Sequence, residues 1–250
     1  MARRVQSRRS LGEKYHWQRA ALMVRLYLFA EGQTEQTFAD NILKLYLAQH
    51  SVFMDKIMLI AHARKKGHVH RGGRRKYKPM KDDIVRFLNQ EKGSKVFFTT
   101  MIDLYAIAPD FPGFAEAESL RQNPVQRVKF LEQRFAEDIG DYRFLPYIQL
   151  HEYEAYLFAD PTCFKYLDAL RTREIEALQA IANQYETPEL INDGQQTAPS
   201  KRIIARFPDY EKAKPAFAPQ LAERIGLEVI RSRCPHFNTW LLRLESLNDS

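Results

Sequence analysis

The chain has 250 residues, 45% hydrophobic and 28% charged, enough to bury a substantial core and ordinary for a globular protein. No apolar run approaches the roughly 18 residues of a membrane span, and the arginine-rich N-terminus lacks the apolar core of a secretory signal. Two cysteines, Cys163 and Cys234, are too few to argue for a disulfide framework, so a cytoplasmic, reducing compartment is expected.

The net charge of +7 is unevenly placed. Residues 1–22 carry Arg3, Arg4, Arg8, Arg9, Lys14 and Arg19 against Glu13 and read as a basic arm. Residues 64–81 hold nine basic side chains and no acid: Arg64, Lys65, Lys66, Arg71, Arg74, Arg75, Lys76, Lys78 and Lys81. The rest of the chain is therefore acidic. An acidic body with two basic segments points to a localised polyanion contact. Two solvated charged loops are the alternative.

The folded part begins at Met23 and reads as one α/β domain over 23–250. Val24–Ala30 is an apolar strand that stops at Glu31-Gly32. A helix follows to about Gln49, with Thr34 as the expected N-cap and Glu35 in the first turn, where the helix dipole favours an anion. A second strand is expected over Lys56–Ala61. Residues 62–80 carry Gly67, Gly72 and Gly73 without amphipathic pattern and read as a basic loop. Asp82–Gln90 reads as a short helix. Lys95–Ile102 lacks polar alternation, which suits a strand buried on both faces, and it ends at Asp103. Residues 115–139 read as helical with a restart near Pro124. Arg143–Leu150 reads as a strand with Pro146 at an edge or bulge. It runs into His151-Glu152-Tyr153-Glu154. A helix over 171–185 and a polar loop over 186–200 precede a C-terminal part of helical and short extended pieces separated by Pro208, Pro215 and Pro219. The last element spans Asn238–Leu247. Strands alternating with helices predict a mostly parallel sheet flanked by helices, with extra C-terminal helices.

Three strands thus end in acids: Glu31, Asp103 and Glu152. Glu35 and Glu154 stand close behind the first and third. Parallel strands bring their carboxyl ends to one edge, so these acids can converge. Gathered carboxylates repel one another unless a cation joins them, and an all-oxygen set suits Mg²⁺ or Mn²⁺. Three of these acids also have a plain structural reading: Glu35 as a dipole partner, Asp103 as a turn cap, Glu154 as a solvated helix residue. His62, His68 and His70 have no neighbouring cysteine or acid to complete a zinc site. Cys234-Pro235-His236 reads as a packed turn. No GxxxxGK[ST] is present, so ATP binding through a P-loop is not expected.

The stretches EGQTE (31–35), MIDLYAIAPDFPG (101–113), IQLHEYEAYLF (148–158), APSKRI (198–203) and CPHFNTW (234–240) resemble a prokaryotic domain of unknown function, family 4276, regarded as Toprim-like. The resemblance spans roughly 23–245, and EGQTE is also similar to the first motif of Toprim domains in overcoming-lysogenization-defect nucleases, topoisomerases and primases. It implies a Toprim-like sheet and a metal-dependent nuclease acting on DNA or RNA. Glu31, Asp103 and Lys201 are the implied catalytic residues, and Glu31, Glu35, Asp103, Glu152 and Glu154 the metal ligands. Lys201 lies in a proline-fixed loop, with a surface lysine as its plain reading. The usual second aspartate of the DxD motif is Tyr105 here. Glu152 or Glu154 supplies the missing charge, or one metal binds, or catalysis is lost. Arg64, Lys65, Lys66, Arg71, Arg74, Arg75, Lys76 and Lys78 are expected along a phosphate backbone, with Tyr77 stacking bases. The resemblance also implies a separate partner ATPase in antiviral defence. Homo-oligomer formation stays open, and no membrane partner is expected. The competing expectation is an inactive Toprim-like adaptor that binds an ATPase or nucleic acid.

Overall fold

The computed structural model describes residues 23–60, 76–191 and 197–249, with the backbone of 64–65 and 68–69. The basic arm and the segment 192–196 lie outside the described residues, as do Lys66, Arg71, Arg74 and Arg75.

Strand β1 (Val24–Ala30) is buried along nearly its whole length. Leu26 and Leu28 point into one core while Tyr27 and Phe29 point into another, as a strand with period-2 side chains and two covered faces must do. It leads through Gly32 into α1 (Gln33–Phe38), a π-helical turn (Ala39–Leu43) and α2 (Lys44–Gln49). Strand β2 (Val52–Leu59) returns parallel to β1. It starts four residues earlier than the sequence suggested. β2 is an edge strand, so Val52 and Met54 face the core while Phe53 and Asp55 face outward. The short strands β3 (Arg64–Lys65) and β4 (His68–Val69) pair antiparallel to each other, where a loop was expected.

Helix α3 (Tyr77–Gln90) begins well before Asp82, because Pro79 falls in its first turn, where no intrahelical N–H is needed. Strand β5 (Val96–Asp103) lies parallel to β1 on its other side, aligning Ala30 with Met101. A short α4 (Phe114–Ala117) precedes α5 (Pro124–Ile139). Asn123 caps α5 by accepting from Gln126 N at 3.1 Å, and Pro124 occupies its first position, which explains the restart. The Arg143–Leu150 run splits at Pro146 into β6 (Phe144–Leu145) and β7 (Ile148–Gln149), both parallel to β5. All five strands of this sheet are parallel, in the order β2-β1-β5 with β6 and β7 at the far edge.

Tyr153–Phe158 is a buried 3₁₀ segment. Helices α6 (Thr172–Ala182), α7 (Pro199–Arg206), α8 (Tyr210–Ile225), α9 (Leu227–Arg233) and α10 (Pro235–Glu245) follow. No extended element occurs among the described residues of this part. Pro215 and Pro219 lie inside α8 and do not separate elements. One core joins α1, α2, α8 and α10 to the Leu26/Leu28 face of the sheet. The other joins α3 and α5 to the Tyr27/Phe29 face. The chain is therefore a mixed α/β protein with a helix-flanked parallel sheet. Among the described residues no helix is long and apolar enough to cross a membrane.

Candidate functional site

The carboxyl ends of β1 and β5 meet. Glu31 N donates to Met101 O at 3.0 Å, and Asp103 N donates to Glu31 Oε2 at 2.7 Å. The two strand-end acids are thus locked side by side by the parallel register. The N-cap of α1 is Gly32, not Thr34, which is buried. Gly32 N donates to Glu35 Oε2 at 2.9 Å, so the Glu35 side chain folds back over the helix entry. A Cβ at Gly32 would stand 3.2 Å from that same oxygen, so a bulkier residue would crowd Glu35.

Glu31, Glu35, Asp103 and Lys214 line one cleft of about 360 Å³ beside Ile60 and Pro215. Asp103 Oδ1 is buried and has no hydrogen-bond partner among the described residues. Burial, reinforced by the charge of Glu31, raises the Glu35 pKa to about 7. Burial and the charges of Glu31 and Glu35 likewise push Asp103 well above the ordinary carboxylate range. Such shifts are what uncompensated negative charge in a low-dielectric site produces. Among the described residues no three acids, histidines or cysteines stand together as a ready-made ligand cage.

Lys214 is the residue that sequence reading missed. Its Nζ is 2.9 Å from Glu154 Oε2. Glu154 is fully buried, and its Oε1 accepts from Tyr210 OH at 3.0 Å. Tyr210 and Lys214 stand one turn apart on α8, so a single helix face supplies both partners. Burial works against the Lys214 ammonium, but Glu154 and Asp103 outweigh it and raise its pKa. The only sequence signal was the i,i+4 spacing of Tyr210 and Lys214, which says nothing about a partner 56 residues upstream.

Glu154 therefore stands behind the cleft as the anchor of Lys214. Glu152 is drawn elsewhere. Its carboxylate accepts from Ser200 N, at the start of α7, and from Ser200 Oγ at 3.1 Å. Burial and Glu154 raise its pKa, while the Ser200 bonds oppose the rise. Lys201, the next residue of α7, is exposed and does not line the cleft. Tyr105 is half exposed, with its ring 5.7 Å from that of His151, and its N–H donates to His151 O at 3.2 Å. His151 itself adopts φ 64°, an uncommon left-handed turn for a non-glycine at the point where the chain leaves β7.

Within the basic segment, Lys78 pairs with Asp82 at 2.8 Å and Lys81 with Asp138 at 2.8 Å. Tyr77 is buried, packed edge-on against Phe111 and Phe135, with its hydroxyl on Asp138. It is a core residue and does not offer a face for stacking bases, which corrects that expectation. Lys76 is exposed. The side chains of Arg64 and Lys65 lie outside the described residues.

The CPHFNTW stretch is structural. Both Glu189 oxygens accept from the first N–H groups of α10, at His236 N and Phe237 N, each 2.9 Å. His236 Nε2 stands 3.1 Å from both Glu132 Oε1 and Ile148 O, and Trp240 Nε1 donates to Thr99 Oγ1 at 2.9 Å. These bonds clamp α10 onto β5 and β7 and hold the sheet edge from which Glu152 and Glu154 follow. Cys234 is buried with its thiol pKa pushed up, as a packed turn requires.

No curated protein and no solved structure matches the chain. One family profile does, over residues 30–245, from the end of β1 to the last residue of α10. That match takes in the acidic cleft and most of the sheet, and the chain belongs to the family described as Domain of unknown function (DUF4276).

Proposed function

We propose that the chain is a Toprim-like nuclease that uses Mg²⁺ or Mn²⁺ to cleave phosphodiester bonds in DNA or RNA, as an effector under a partner ATPase in antiviral defence. The observation that carries this reading is the buried Oδ1 of Asp103, without a hydrogen-bond partner among the described residues, in a cleft shared with Glu31 and Glu35. An acid so placed has no donor among the described residues, a condition that a hard cation relieves. The fit extends to the all-oxygen donor set: Glu31 and Asp103 would hold the ion, with Glu35 beside them. When bound, such an ion activates water and stabilises the leaving oxygen.

The chain's own groups have separate tasks in this reading. Glu31 takes the Asp103 N–H and so sets the spacing of the two strand ends. Glu35 keeps one oxygen on Gly32 N, which fixes the orientation of the other. Lys214 lines the cleft with the acids, where Lys201, expected to assist at the phosphate, does not. The basic residues from Arg64 to Lys78 would track the phosphate backbone. The deciding experiment incubates plasmid and tRNA with Mg²⁺ or Mn²⁺ and the genomic partner, for wild type beside Glu31→Ala and Asp103→Ala. Cleavage by wild type and its loss in both variants is the expected outcome. No cleavage by wild type under these conditions, or equal cleavage by the variants, rejects the reading.

A second reading is favoured by Tyr105 in place of the second aspartate and by the ion pair of Lys214 inside the acid group. There the chain is an inactive adaptor for an ATPase or nucleic acid, and the acids are balanced by lysine alone. A calorimetric titration with no Mg²⁺ or Mn²⁺ binding, beside a stable partner complex, selects it.

A further inference from the structure

We propose that Lys214 is the protein's resident cation in the acidic cleft, and that a divalent ion must drive it outward before the strand-end acids can hold metal. The inference rests on the metal-binding reading of the cleft and adds to it a gate built from this chain. Lys214 lines the same cleft as Glu31, Glu35 and Asp103, and it answers to Asp103 and Glu152 as well as to its partner Glu154. A dication entering among these acids meets a like charge lining the same cleft, so ammonium and metal oppose each other.

The structure supplies both somewhere for Lys214 to go and a joint that lets it move. Lys214 rests on Glu154, which is fully buried and held by Tyr210, with its ammonium 2.9 Å from Glu154 Oε2. The Lys214 side chain is one-third exposed, so the path away from the acids leads outward to solvent. Pro215 follows immediately inside α8. It has no N–H for the carbonyl of Glu211, and its ring crowds that carbonyl, which loosens the helix beside Lys214. The buried Oδ1 of Asp103, without a hydrogen-bond partner among the described residues, is an acceptor open to an entering ion.

Two measurements test this, neither of them cleavage. The first is calorimetric titration of Mn²⁺ into metal-free protein. Lys214→Gln is expected to bind at least about tenfold more tightly than wild type, and Lys214→Arg, which keeps the charge, to bind like wild type. The second is labelling of wild type with an amine-reactive ester, read by mass spectrometry. Lys214 modification is expected to rise several-fold when saturating Mg²⁺ is present. If wild type binds Mn²⁺ through Glu31 and Asp103 but Lys214→Gln binds no more tightly, or if Lys214 labelling is unmoved by Mg²⁺, the gate is wrong and the metal site stands. If neither wild type nor Lys214→Gln binds Mn²⁺, the metal site and the gate fall together. Should Lys214→Gln not fold, the labelling arm on wild type decides alone.

Discussion

Glu31 Oε2 accepts the backbone N–H of Asp103 at 2.7 Å, tying the end of one central strand to the end of its neighbour. The bond makes Glu31 both a structural clamp and a candidate ligand, and substitutions can separate the roles. Glu31→Gln keeps an acceptor for the N–H but loses the charge, so its melting temperature should stay close to that of wild type. Glu31→Ala loses the clamp too and should cost about 1 kcal/mol more. Both should lower metal-dependent cleavage by about two orders of magnitude or more. Thermal melts beside cleavage rates separate the two roles, and full activity in Glu31→Gln would remove Glu31 from the chemistry.

The raised Glu35 pKa predicts how metal-free protein responds to pH. Its carboxyl has a pKa of about 7 in the fold against 4.5 in the free side chain. Between those values the folded state carries a proton that the unfolded state has lost. The contribution is therefore fully present below 4.5 and is lost as pH rises through about 7. Asp103, raised for the same reasons, acts in the same direction. Denaturant unfolding in chelator should show stability falling by about 3 kcal/mol or less across this window. Glu35→Gln should flatten the fall, and Mg²⁺ should restore stability above it. A rise in stability over the window would contradict the burial and repulsion assigned to Glu35.

Glu152 and Ser200 predict a distinction between neighbouring acids. Because both Glu152 oxygens are engaged at the start of α7, Glu152→Gln should leave Mn²⁺ affinity within about threefold of wild type, whereas Asp103→Asn should abolish binding. Ser200→Ala should cost about 1–2 kcal/mol of stability, because it leaves a buried carboxylate short of one donor. Loss of Mn²⁺ binding in Glu152→Gln would return Glu152 to the ligand set.

Glu189 predicts an effect on stability far from the cleft. Its two oxygens satisfy the first two N–H groups past Pro235 in a buried place. Glu189→Ala should destabilise by about 2–4 kcal/mol, and Glu189→Gln by less, since the amide keeps one acceptor. Urea unfolding measures both. Mn²⁺ affinity of whatever fraction stays folded should match that of wild type.

Much of this was legible in the sequence because it depends on local pattern. The runs VRLYLFA and VFFTTMID have no polar face, so they had to lie inside a sheet covered on both sides, and their helical connections implied parallel pairing. Parallel pairing in turn places Glu31 and Asp103 at one edge of the sheet. Edge strand β2 was harder to bound because half of it faces solvent.

Only the tertiary structure decided which acids share the cleft and which cation faces them. Glu152 and Glu154 are two residues apart in the same motif, yet one is capped by Ser200, 48 residues on, and the other is held by Tyr210, 56 residues on. Lys214 has a sequence neighbourhood like that of any helix lysine, and it became the cation of the site only when α8 packed against Tyr153–Phe158 and α1. Hydrophobic periodicity is written along the chain, and so it fixes elements and their faces. Charge pairing is settled by where distant elements come to rest, since a carboxylate buried by one helix is stabilised by whichever donor that helix carries.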